Sequence, residues 1–193
     1  MQQIGRRERK KAQTRKALAD AALELFLARG YDQVGVREVA DAADVSVTTL
    51  FKYFPSKESL VFDLDEDIET ALVSAVRDRA AGQRVLPALR EHVLGGVPTA
   101  AALPPASPFG RMVEETPALR QYARGMWLRH ETALARAIAE EAGAPEGDTV
   151  CAALARFALE AVELAHREAD PAKAIDAIFG LLEPGWAAAY PGV

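Results

Sequence analysis

An all-α fold is predicted for this chain on three observations. Half of its 193 residues are hydrophobic, with alanine dominant. They recur at helical spacing, and strand-like alternation is scarce. Helix start signals, a capping residue followed by proline, stand at Thr116-Pro117 and Asp170-Pro171, and glycines punctuate the periodic stretches at Gly30, Gly82 and Gly143. The pattern predicts about nine helices, three in a small N-terminal head and the rest in a helical body. The expected boundary gives segments 1–57 and 58–193.

The basic residues Arg6, Arg7, Arg9, Lys10 and Lys11 open the chain as an arm expected to order only against phosphate. A first helix is expected over 11–29, with Ala17, Ala21, Leu25 and Ala28 near helical spacing alongside Leu18 and Phe26, and Gly30 ending it. A short helix over 36–43 puts Val36, Val39, Ala40 and Ala43 on one face. Asp44-Val45-Ser46 breaks it. Ser46 then caps a helix over 47–54, whose apolar side is Val47, Leu50, Phe51 and Phe54. Ser56 is the expected cap of a long helix over 56–80, with Leu60, Leu64, Ile68 and Leu72 in one stripe. A helix over 85–94 follows, then a loop over 95–108 marked by Pro98, Pro104, Pro105 and Pro108. The remaining helices are expected over 109–115, 117–143, 148–169 and 171–183, with Pro184-Gly185 as the stop.

Two short helices joined by so few residues cross steeply, which is the helix-turn-helix unit. The second leaves Thr48, Thr49, Lys52 and Tyr53 off its apolar side, hydrogen-bonding groups of the kind that read a major groove. The run T-L-F-K-Y-F-P-S-K-E-S-L, with V-R-E-V-A before it, resembles the DNA-binding domain of TetR-type transcriptional regulators. Asp44 stands where that family usually has glycine, Phe51 where tyrosine is usual, and Gly35 where threonine commonly caps the second helix. The resemblance implies a homodimer on a palindromic operator of double-stranded DNA, since one recognition helix reads too few bases. On this reading Lys52 and Thr48 face base edges, Val47 meets a thymine methyl, and Arg37 reaches a base or phosphate. Thr14, Arg15, Thr49, Tyr53 and Lys57 grip phosphates and fix register. Lys57 sits at a helix start, where a cation is unfavourable unless an anion faces it.

The net charge of −5 does not by itself point to a polyanion. Its distribution does. Through Lys57 there are 11 Lys/Arg against 7 Asp/Glu, or +4, and the remainder holds 12 against 21, or −9. A basic head on an acidic body presents one end to nucleic acid. One cysteine, Cys151, excludes an internal disulfide and supplies no metal framework. The basic N-terminus lacks a following apolar stretch, and the prolines of 95–108 exclude a membrane span there, so a cytoplasmic protein is expected.

In the body, Cys151, Leu154, Phe157, Ala158, Ala161 and Leu164 mark one broad apolar face, and Ile175, Ile178, Phe179 and Leu182 another. Such faces are core or the halves of a four-helix bundle between two copies. Tyr122, Met126, His130 and Leu134 lie close to one stripe, with Trp127 beside it, and form either core or an apolar pocket with one titratable anchor. Phe109, Arg111 and Met112 would close such a pocket, Arg111 pairing with an acid or phosphate. Residues 109–143 are weakly similar to the ligand domain of mycofactocin-type regulators, which implies a small-molecule effector that is apolar or an acyl-CoA thioester. His92, His130 and His166 have no ligand spacing, and no nucleophile elbow, Walker loop or dinucleotide fingerprint is present. No enzyme, cofactor or metal is expected. The leading expectation is a ligand-responsive, homodimeric repressor. The rival is a helical small-molecule-binding or protein-docking module without sequence-specific DNA binding.

Overall fold

A computed structural model describes residues 5–95, 107–165 and 167–193. Most of the expected 95–108 loop, and His166, lie outside the described residues. Among those described, the fold is all-α with nine α-helices and no strand. Contacts divide the chain into two compact units. The first holds the chain up to Asp63 together with a later segment ending at Tyr122; the second holds the rest.

In the first unit, α1 (Arg6–Arg29) begins at Arg6, so the expected arm is the first turns of a helix. Arginine, lysine and alanine are strong helix formers, and no Gly or Pro intervenes before Gly30. Gly30 ends α1 at a φ of +91°. α2 (Val36–Ala42) and α3 (Val47–Tyr53) form the expected helix-turn-helix. Leu18, Ala22, Phe26, Tyr31, Val39, Leu50, Phe54 and Leu60 are buried around α1, each leucine, valine and phenylalanine contributing on the order of 1.5–3 kcal/mol.

The long helix expected over 56–80 is interrupted. Glu58–Leu60 is a single 3-10 turn, and α4 (Asp65–Arg77) starts five residues later. Leu60, Val61 and Phe62 are all buried, and three consecutive side chains point around most of an α-helix rather than to one side. Breaking the helix lets all three turn inward. Ser56 therefore caps only the 3-10 turn, its Oγ accepting from the Ser59 amide at 3.3 Å.

α6 (Pro108–Glu115) belongs to the first unit, capped by Ser107, whose Oγ accepts from the Gly110 amide at 3.0 Å. α7 (Pro117–Ala142) contributes its residues through Tyr122 to the first unit and the rest to the second. The second unit also contains α4, α5 (Val85–Leu94), α8 (Thr149–Ala165) and α9 (Pro171–Ala189). Its core joins Ile68, Leu72, Leu89, Leu134, Ile138, Leu154 and Phe179. Buried Ala155, Ala158, Ala161 and Ala165 give α8 a smooth side on which α9 packs.

Pro184 does not stop α9. An interior proline costs roughly 3 kcal/mol, but Trp186 beyond it is 5% exposed and its Nε1 donates to the Val193 carbonyl at 3.2 Å. Burial of a large indole offsets the lost backbone bond.

Candidate nucleic-acid interface

The turn between α2 and α3 is built by local hydrogen bonds. Val45 N–H donates to the Ala40 carbonyl at 2.9 Å and Asp44 N–H to the Asp41 carbonyl at 3.1 Å, the paired bonds of a Schellman ending. That motif needs a left-handed residue, and Asp44 takes it with a φ of +53°. Asp44 is the one non-glycine residue with positive φ among those described. The short polar side chain makes this tolerable where a bulkier one would not be. Ser46 caps α3, its Oγ accepting from Thr49 N at 3.1 Å and lying 2.9 Å from Thr49 Oγ1. At the start of α2, Glu38 reaches back to the Gly35 amide at 2.9 Å and pairs with Arg29 at 2.7 Å. Those two contacts, the amide first, hold the Glu38 carboxyl below its ordinary pKa.

On α3, Leu50 and Phe54 point inward at 0% and 1% exposure. Thr48 and Lys52 are exposed, while Val47, Thr49 and Tyr53 are half-buried. Arg37, on α2, is also exposed. Among the described residues neither Lys52 nor Arg37 has a hydrogen-bond or ion-pair partner, so their charges face solvent. Arg6, Arg7, Arg9, Lys10 and Lys11 lie exposed on the first turns of α1. Phe51 departs from its expected place on the apolar side and is 47% exposed.

Besides Thr49, whose Oγ1 meets Ser46, three of the expected phosphate contacts are already engaged within the unit. Thr14 Oγ1 donates to the Lys10 carbonyl at 3.0 Å. Arg15 donates to the carbonyls of Tyr53 at 3.3 Å and Asp63 at 2.5 Å, with its guanidinium 4.7 Å from the centre of the Phe54 ring. Lys57 Nζ donates to the Tyr31 carbonyl at 2.5 Å and lies 4.0 Å over the Tyr31 ring. Partial burial lowers the Lys57 pKa against the opposing pull of Asp32, Glu58 and Glu38. An ammonium has three donors, so one bond to Tyr31 leaves it able to take a further acceptor. Tyr31 itself is a buried plug packed on Phe26 at 5.1 Å, its hydroxyl 3.1 Å from Glu58. Its pKa is raised by burial first and Glu58 second.

The residues expected to line a ligand pocket fall into both units. In the first, Tyr122 stacks on Phe62 with centroids 5.3 Å apart, and Phe109 meets the same ring edge-on at 6.3 Å. Met112 is half-buried there and Arg111 is exposed. In the second, Met126 and His130 are buried at 2% and 0% exposure. His130 Nε2 lies 2.7 Å from Asp65 Oδ1, and Arg129 pairs with the other Asp65 oxygen at 2.6 Å. Trp127 meets His130 edge-on at 5.6 Å and borders a recess of about 370 Å³ where Arg124 and Arg156 face Glu131, Glu160 and Glu163 beside Leu128 and Leu159. Among the described residues no helix is long and apolar enough to cross a membrane, and no acidic, His or Cys cluster is arranged to hold a metal.

The family model described as bacterial regulatory proteins, tetR family, matches residues 18–64. The chain is 36% identical over 151 residues to the HTH-type transcriptional regulator TcmR of Streptomyces glaucescens, covering 72% of this chain and 65% of that one. It is 26% identical over 195 residues to the putative mycofactocin biosynthesis transcriptional regulator MftR of Mycobacterium tuberculosis, covering 92% and 93%. The solved structure of a TetR-family regulator from Streptomyces coelicolor shares the fold, with a TM-score of 0.55 at 23% identity over 96% of this chain and 98% of that one.

Proposed function

The chain belongs to the TetR family of bacterial regulatory proteins, and on that premise we propose that it is a homodimeric repressor released from a palindromic operator by a small molecule. The observation that carries the DNA-binding part is the capped, exposed face of α3. Ser46 fixes the helix start, Leu50 and Phe54 fix its rotation, and Thr48 and Lys52 are left uncovered, as is Arg37 on α2. Hydroxyl and ammonium groups at that spacing match base-edge acceptors in a major groove. Thr49 and Tyr53, half-buried at the flanks of α3, are assigned to the sugar-phosphate walls, with Lys57 offering a remaining donor. Val47 is assigned a thymine methyl. Arg15 acts on DNA indirectly, by tying α1 to the end of α3, while Thr14, whose hydroxyl bonds only within α1, is assigned to a phosphate.

The dimer is proposed on the exposed apolar residues of α8 and α9: Phe157 at 50%, Leu164 at 47% and Leu181 at 80% exposure. A second copy would cover them, and two copies are what a palindromic site requires. The effector is assigned to the second unit, where the recess beside Trp127 is lined by Leu128 and Leu159, by the arginines Arg124 and Arg156, and by Glu131, Glu160 and Glu163. That lining suits a molecule with an apolar body and a polar head that can hydrogen-bond to groups of either charge.

Titration of the purified protein against fragments of its source genome and against random duplex, at two salt concentrations, tests the proposal. Binding should prefer a subset of fragments, bind two copies per site, and fall steeply as salt rises. Binding that ignores salt would instead favour a docking module working through apolar surface.

A further inference from the structure

A buried imidazole in the second unit uses only half of its hydrogen-bonding capacity. His130, on α7, is 0% exposed. Its Nε2 lies 2.7 Å from Oδ1 of Asp65, in the first turn of α4, and Arg129 pairs with the other Asp65 oxygen at 2.6 Å. A carboxylate held by an arginine can only accept. Asp65 therefore fixes the ring proton of a neutral imidazole on Nε2 and leaves Nδ1 as a bare acceptor. Among the described residues no group bonds to that Nδ1, although it is shut off from solvent. Buried polar atoms are nearly always paired, and one that is not calls for a function or a partner.

Trp127 links this nitrogen to the recess already described. The half-buried indole borders the recess on one side and meets the His130 ring at 5.6 Å on the other, so a turn of one side chain joins the two. We propose that His130 is a specificity-determining residue of the effector site, its Nδ1 accepting a hydrogen bond from a hydroxyl group on an otherwise apolar molecule that displaces the Trp127 ring. A carboxylate or phosphate ester has no proton to give there and would set its charge against a lone pair. An ether lacks the donor altogether. The inference rests on the effector reading above and gives that effector its chemistry, a neutral donor on an apolar body.

The test titrates matched probes into the full-length protein at mildly alkaline pH, read by calorimetry: phenol against anisole, and cyclooctanol against methoxycyclooctane. Each alcohol should bind about fivefold to tenfold more tightly than its ether, the worth of one hydrogen bond to a buried acceptor. The extra methyl of the ether favours the opposite order, so burial alone does not produce this result. In nitrogen NMR the Nδ1 resonance of His130, one of three histidines, should shift with each alcohol and stay in place with each ether. His130→Phe keeps a ring but no acceptor, and should bring alcohol and ether to equal affinity. Circular dichroism checks its fold, and the wild-type comparison and the Nδ1 resonance decide the matter if that variant does not fold. Alcohol and ether binding alike, an unmoved Nδ1 resonance, or an alcohol preference that His130→Phe retains overturns the inference and leaves the effector reading intact. Binding of neither member of either pair overturns both.

Discussion

Replacing Arg15 by alanine separates a brace from a DNA contact. Its guanidinium donates to the Asp63 carbonyl at 2.5 Å and the Tyr53 carbonyl at 3.3 Å, and stacks 4.7 Å from the Phe54 centroid. A hydrogen bond from a charged donor contributes roughly 1.5–3 kcal/mol. The longer bond counts for less, and a cation–π contact adds about 0.5–2 kcal/mol. Partial exposure and non-additivity argue for the lower ends, so Arg15→Ala should cost the first unit about 3 kcal/mol. Arg15→Lys keeps the charge but not the fork, and should lose about half of that. Both tryptophans, Trp127 and Trp186, lie in the second unit, so fluorescence is the wrong reporter. Amide hydrogen exchange across α3 is the right one, and 3 kcal/mol should speed it roughly a hundredfold. The reasoning is refuted if α3 exchanges at the wild-type rate while affinity for every duplex falls with a salt slope smaller by about one. That result would make Arg15 a phosphate contact.

Three further outcomes are expected. Lys52→Ala should weaken operator binding by about 1–3 kcal/mol and narrow the gap between operator and random duplex, as competition assays would show. Asp44→Gly relieves a left-handed φ of +53° and should raise the first unit's stability by up to about 1 kcal/mol, whereas Asp44→Val should lower it, both read by denaturation followed by circular dichroism. Burial lowers the pKa of His92 from its ordinary 6.5, so just below that pH the unfolded chain binds more protons than the folded one. Its contribution is therefore full above about pH 6.5 and lost as the pH falls below it, and His92→Gln should flatten that loss in urea unfolding read by tryptophan fluorescence.

The helix-turn-helix was legible because its determinants are local. Ser46 caps within three residues, and the left-handed turn falls on Asp44, a residue type that tolerates it. The helix starts at Val85, Pro117 and Pro171 were equally legible from their flanking residues. The break after Leu60 was not, because it follows from burying Leu60, Val61 and Phe62 together, which is decided by the fold around them. Trp186 carried α9 past Pro184 for the same reason. Arg15 and Lys57 looked free as sequence, yet their carbonyl partners lie 26 to 48 residues away. Phe51 was placed inside by counting apolar residues. The four-residue spacing of Leu50 and Phe54, which sets the inward line more tightly, is the signal that moves it outward.

The central claim is that α3 enters the major groove of duplex DNA at two symmetric half-sites. Methylation protection at guanine N7 on the fragment bound most tightly measures this directly. The account predicts two clusters of protected guanines, centred roughly 10–10.5 base pairs apart or a multiple of that, both weakened by Lys52→Ala. A single cluster, or tight binding that leaves every major-groove position open to methylation, would contradict it.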